Sequence, residues 1–224
     1  MRQRLQSAWD VVSAGVVALV AVTMLMLFVH DRRQASIPPV PEPVYAEDWR
    51  EWEASGIRMG AAYAPMVVAV FSDFRCPYCR DLLPVLDSLV EEFRPHVTIE
   101  YHHYPLSPQG LSVLSAVAAE CGDQQGRFWE MYRTLFRHFD SVGVRAWEVL
   151  ASEAGVGDLM RFGACLQEPS EAFARIAGGR ALGERVGVRG VPSVWINGEL
   201  FRGERSLAAL RKKVEELGFS ASGR

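Results

Sequence analysis

A chain of 224 residues with 49% hydrophobic and 10% aromatic content has ample material for a core, which excludes an intrinsically disordered chain. Its length suits one large domain or a domain carrying an insertion. The net charge of −3 hides a basic-leaning N-terminus and an acidic remainder, and the absence of a basic stripe with interleaved aromatics excludes nucleic acid as a partner.

Residues 11–29 hold no charge and only Ser13, Gly15 and Thr23 as interruptions. At 1.5 Å per residue such a run reaches roughly 28 Å, enough for a bilayer core of ~30 Å. The run exceeds the usual hydrophobic region of a signal peptide, and no small-x-small site follows it closely. An uncleaved signal-anchor spanning the membrane is therefore expected, with a cleaved signal peptide as the alternative. Residues 1–10 are expected in the cytoplasm. Residues 30–59 contain Pro38, Pro39, Pro41 and Pro43, whose spacing favours an extended spacer with no room for a packed element up to Ala46. A short helix over 48–54 follows, its Trp49 and Trp52 on one side.

Met66-Val67-Val68-Ala69-Val70-Phe71 is continuously apolar, as in a strand buried on both faces. It runs into Cys76-Pro77-Tyr78-Cys79 and a helix reaching Phe93. Pro77 suits a first helical position, and the free N–H groups and positive dipole end of a helix N-terminus stabilise a thiolate. The β-branched run Val97–Tyr101 completes a right-handed β-α-β unit. His102 and His103 follow. Adjacent strand residues point to opposite faces, so they make a poor chelating pair and read as structural or edge histidines.

Helical spacing then dominates over 108–121, 125–139, 144–154 and 158–167, punctuated by glycines, and again over 171–186. Val194-Trp195-Ile196, Asn197-Gly198 and Glu199-Leu200-Phe201 form a hairpin signal, because Asn-Gly supplies the two positive-φ positions of a type I′ turn. Ser206 caps a last helix over 207–217, with Leu210, Val214 and Leu217 facing inward. Residues 218–224 form a tail.

The four cysteines permit three connectivities, of which the tight CxxC favours Cys76 with Cys79 and leaves Cys121 and Cys165 as the second pair. A CxxC by itself fits a redox dithiol or a pair of zinc ligands. The Cys76 thiol is expected to be partly exposed at the helix start, and Asp73, at the strand end, to be exposed or in a turn.

Together these residues resemble the DsbA-like branch of the thioredoxin superfamily. The resemblance rests on Phe71-Ser72-Asp73-Phe74-Arg75-Cys76-Pro77-Tyr78-Cys79, Tyr104-Pro105-Leu106 and Gln125-Gly126-Arg127-Phe128-Trp129. Phe162-Gly163-Ala164-Cys165-Leu166 and Gly187-Val188-Arg189-Gly190-Val191-Pro192 complete it, all in family order. The implied fold is α/β: a thioredoxin-like domain over residues 60–217, with a helical insertion at about 108–178, preceded by one transmembrane helix.

The resemblance further implies a thiol–disulfide oxidoreductase, an oxidase of exported proteins, or alternatively a reductant or isomerase. Cys76 would be the attacking thiol, Cys79 the resolving thiol and Pro192 the cis-proline of the loop facing them. Pro77, Tyr78 and Val191 would touch substrate. Cys121 and Cys165 match positions that form an extra disulfide in some members. No cofactor beyond the Cys76–Cys79 disulfide and no metal is implied. The partners would be reduced exported proteins and a membrane redox protein that resets the dithiol, on the extracytoplasmic side of the membrane. Two departures stand out. Val70 occupies the place of the buried acid found under the dithiol in many members, and Tyr78 replaces the histidine of the most oxidising ones, which implies a milder oxidant.

Overall fold

The computed structural model describes residues 15–16, 18–28 and 44–221, and the chain divides into two units, Met1–Glu42 and Pro43–Arg224. In the first unit, residues 18–28 are helical with exposed side chains. Among the described residues no helix is long and apolar enough to cross a membrane. Part of the expected 11–29 span, residues 1–10, most of the proline spacer and the end of the tail lie outside the described residues.

The second unit is built on a five-stranded sheet of order β1-β3-β2-β4-β5: β1 Ile57–Gly60, β2 Met66–Ser72, β3 Val97–His103, β4 Ser193–Ile196 and β5 Glu199–Leu200. Only the β2/β3 pair is parallel. Every residue of β2 and β3 is buried, because helices cover both faces of the sheet. Val68, Val70 and Ile99 face helices α1 (Pro77–Glu92) and α7 (Leu207–Glu216), packing with Leu86, Leu89, Leu210 and Val214. Val67, Ala69 and Phe71 point the other way, onto Trp49, Trp52, Trp195 and Leu182 of α6 (Ala174–Val186). The remaining helices, α2 (Leu111–Asp123), α3 (Phe128–Arg137), α4 (Trp147–Glu153) and α5 (Leu159–Cys165), form the insertion.

Local chemistry explains these elements. Asn197 (φ 47°) and Gly198 (φ 85°) make the β4–β5 turn, and the Asn197 Oδ1 accepts from the Val67 N–H at 2.8 Å. Ser206 caps α7 by accepting from the Ala209 N–H. Gly179 lets α6 lie against the end of β3, since a Cβ there would stand 2.5 Å from the His103 carbonyl oxygen.

Several expectations change. The short helix near the start is a 3-10 turn, Trp49–Ala54, and β1 is a strand that the sequence pattern did not announce. Val44–Ala46 is hydrogen-bonded to the sheet edge rather than free: Ala46 N–H donates to Gly198 and Leu200 N–H to Val44, satisfying an otherwise open strand edge. The helices are shorter than their periodic patterns, beginning for example at Leu111 rather than Pro108. Leu217 ends α7 and is 42% exposed, so it does not face inward. Both histidines lie inside β3, and neither is on an edge strand.

Candidate active site

β2 ends at Ser72, and the turn that follows is organised by Asp73. Its carboxylate accepts from the Arg75 N–H at 2.7 Å and the Leu106 N–H at 2.8 Å, while its carbonyl accepts from the Cys76 N–H. Asp73 is therefore buried, with 2% exposure; the turn role holds and the exposure does not. Cys76 occupies the N-cap position of α1 in extended conformation, and Pro77 opens the helix, where its missing N–H costs no intrahelical bond.

Cys76 and Cys79 are unbonded thiols. Cys76 is only 5% exposed, less open than its position suggested, because the loop before β4 closes over it. That loop begins where α6 ends in a Schellman motif: Gly187 at φ 81° lets Val188 N–H reach Gly183 and Gly187 N–H reach Glu184. It then reaches the cis Val191–Pro192 bond, and the Cys76 Sγ donates to the Val191 carbonyl oxygen at 3.4 Å. Tyr78 stands 71% exposed beside this contact.

Cys79 lies deeper. Burial pushes its thiol well above the ordinary value, with Cys76 adding to the rise; the Asp73 backbone N–H and the Ser72 hydroxyl work in the opposite direction. Tyr101 and Tyr132, both buried, wall the same region, and burial raises both phenols. Tyr101 Oη donates to the Ser72 carbonyl at 3.4 Å. Val70 packs into the apolar layer under α1, so the hydroxyl-bearing Ser72, Tyr101 and Tyr132 surround Cys79 where a carboxylate was missing. Sequence reasoning passed over these three, since nothing in their spacing marks them. The insertion reaches the site through Phe139, whose ring lies under the Arg75 and Arg80 guanidinium groups at 4.6 and 4.9 Å.

The other predicted residues lie elsewhere. Cys121 on α2 and Cys165 at the end of α5 are joined by a disulfide. His102 stacks on Phe71 on the tryptophan-lined face, with its Nε2 3.0 Å from Glu100, and Arg58 donates to the other Glu100 oxygen. His103 points to the opposite face and bonds Glu120 at 2.8 Å. Burial lowers the affinity of His103 for a proton. Burial also works to raise the Glu120 carboxyl, but His103 and Arg175 outweigh it and hold that carboxyl low. Among the described residues, no group of three or more His, Cys, Asp or Glu side chains is placed to hold a metal ion.

The family model described as thioredoxin matches residues 53–216, and the chain belongs to the thioredoxin family, with the DsbA-like arrangement of a thioredoxin core and helical insertion. A thioredoxin-like oxidoreductase from Silicibacter pomeroyi superposes with a TM-score of 0.63 at 24% identity, covering 77% of this chain and 97% of that one. The thiol-disulfide exchange protein alpha-DsbA2 from Wolbachia pipientis gives 0.62 at 18% identity, covering 75% and 93%. A curated relative, Na(+)/H(+) antiporter NhaA 1 of Mycolicibacterium gilvum, is 27% identical over 179 residues, 78% of this chain but 29% of that protein. The chain thus spans under a third of the length of that relative.

Proposed function

We propose that this protein is a thiol–disulfide oxidoreductase that oxidises cysteine pairs in exported proteins, held at the membrane by residues 11–29. The observation that carries the reading is the Cys76/Cys79 dithiol at the start of α1, with the reactive-side sulfur against the Val191 carbonyl of a cis-proline loop. Such a loop offers a peptide edge beside the sulfur on which an unfolded segment can lie.

In the oxidised form, a substrate thiolate attacks the Cys76 sulfur. The Cys76–Cys79 bond breaks, a mixed disulfide forms, and Cys79 takes the electron pair. Burial makes an anion at Cys79 costly, so a proton must follow. A second substrate thiolate then attacks the substrate sulfur and releases Cys76. Two electrons and two protons pass to the enzyme, leaving the dithiol seen here, and a membrane redox partner returns the pair to the disulfide. The uncharged 11–29 run supports the anchor, and the dithiol supports an extracytoplasmic catalytic domain. A Cys79→Ser variant whose Cys76 is first held as a mixed disulfide with a coloured aromatic thiol should exchange with an unfolded protein carrying one cysteine, releasing the aromatic thiol and accumulating an enzyme–substrate mixed disulfide through Cys76; no exchange would overturn the mechanism. The reading as reductant or isomerase is favoured by Tyr78, which places no cation beside the dithiol. A Cys76/Cys79 potential near that of thioredoxin would select it over the oxidase.

A further inference from the structure

Beside the dithiol lies a groove of about 880 Å³ with three walls. One is the first turn of α1, with Tyr78 and Asp81; the second is the loop ahead of β4, with Arg189 and Val191; the third is the loop between β5 and α7, with Arg202 and Arg205. Val191, whose carbonyl receives the Cys76 thiol, lines this groove, so the groove adjoins the reacting sulfur.

Its charge is opposite to that of the unit around it, which carries more Asp and Glu than Lys and Arg. Arg189, Arg202 and Arg205 are all exposed, and among the described residues no carboxylate is within ion-pair distance of any of them. Asp81, the acidic side chain of the lining, is engaged by Arg80 at 3.3 Å. Other arginines nearby are already committed: Arg180 to Glu184, Arg185 to Asp48 and Arg75 to the Phe139 carbonyl. The positive charge at the groove is thus left uncompensated where a bound chain would pass. Arg189 and the Arg202/Arg205 pair come from two different loops, so they address a segment along its length and not a single anion.

We propose that this groove receives an extended segment of the protein being oxidised that carries Asp or Glu close to its reactive cysteine, and that Arg189, Arg202 and Arg205 select it by charge. The proposal rests on the oxidoreductase reading and names its substrate class. Complementary charge at a cleft raises association rates and loses its effect as salt screens it.

The test uses the oxidised protein and two dithiol peptides identical except for Glu or Lys flanking their cysteines, with dithiothreitol as a third substrate. At low ionic strength the Glu peptide should be oxidised about tenfold faster, and the gap should close at high ionic strength. In Arg189→Gln/Arg202→Gln/Arg205→Gln the Glu-to-Lys rate ratio should fall to near one, and in the single variant Arg202→Glu it should drop part of the way. Equal peptide rates in the unmodified protein, or a ratio that survives the triple substitution, would overturn the proposal. Binding to anionic-lipid vesicles that the triple substitution removes, without any peptide preference, would likewise overturn it and give the surface to a lipid. Failure of the unmodified protein to oxidise even dithiothreitol would instead sink the oxidoreductase reading.

Discussion

The protein holds two cysteine pairs whose surroundings differ in one respect that matters. Exposure does not separate them: Cys76, Cys79, Cys121 and Cys165 are 5%, 1%, 1% and 6% exposed. Cys121 and Cys165 come from two helices of the insertion, 44 residues apart, and share one apolar cluster with the dithiol. Cys76 and Cys79 straddle the first turn of a helix, with the Cys76 sulfur against the Val191 carbonyl that precedes the cis-proline and at the edge of an open groove. On the proposed function, reactivity follows from what adjoins the sulfur and not from how much water reaches it. One pair is a staple; the other lies beside a groove.

That contrast can be broken by substitution. Cys76→Ser should abolish oxidation of a reduced unfolded protein, whereas Cys121→Ser/Cys165→Ser should leave the turnover of folded enzyme within a few-fold of the original. A staple variant that folds but turns over no substrate would join the two pairs into one machine.

The second effect is on stability. Removing the Cys121–Cys165 crosslink releases a long loop in the unfolded chain and should cost about 2–4 kcal/mol, read as a lower urea midpoint. A midpoint unchanged by the double substitution would mean that the crosslink constrains nothing.

Next to the staple, Glu120 ties β3 to the insertion, accepting from His103 and from Arg175. Its carboxyl is held low in the fold, so the stability it contributes is complete above its ordinary value of 4.5 and is lost as pH falls through the folded value. Glu120→Gln should lower stability at neutral pH by about 1–2 kcal/mol and flatten the acid limb below about pH 4.5. An acid limb of unchanged slope would remove Glu120 from the account.

The smallest effect belongs to the dithiol. A buried Cys79 thiol, raised above its ordinary value of 9.0, gives stability that is complete below that pH and declines above it, because the unfolded chain ionises first. Reduced protein should lose stability relative to oxidised protein by about 1.4 kcal/mol per pH unit above 9. Tyr101 and Tyr132 titrate in both forms and largely cancel. Parallel curves for the two forms would mean that Cys79 is better solvated than its burial implies.

Where the physics is local, the residues alone were enough. The apolar run of β2, Pro77 at a helix start, the Asn197-Gly198 turn and the Ser206 cap each express a preference spanning a few residues, and each formed where the pattern placed it. Those motifs in order also led to a thioredoxin-like core with an inserted helical block. Only the tertiary structure decided the surroundings of the sulfurs. Asp73 is buried because Leu106, 33 residues on, brings an N–H to it. Cys76 is covered because a loop 115 residues away lays the Val191 carbonyl on it. β1 forms because Ile57–Gly60 finds the edge of β3, although its own pattern is weak. The arginine groove exists only where two distant loops converge on α1. Partners at such separations leave no period in the chain: local preference determined which elements form, and long-range packing determined what each cysteine meets.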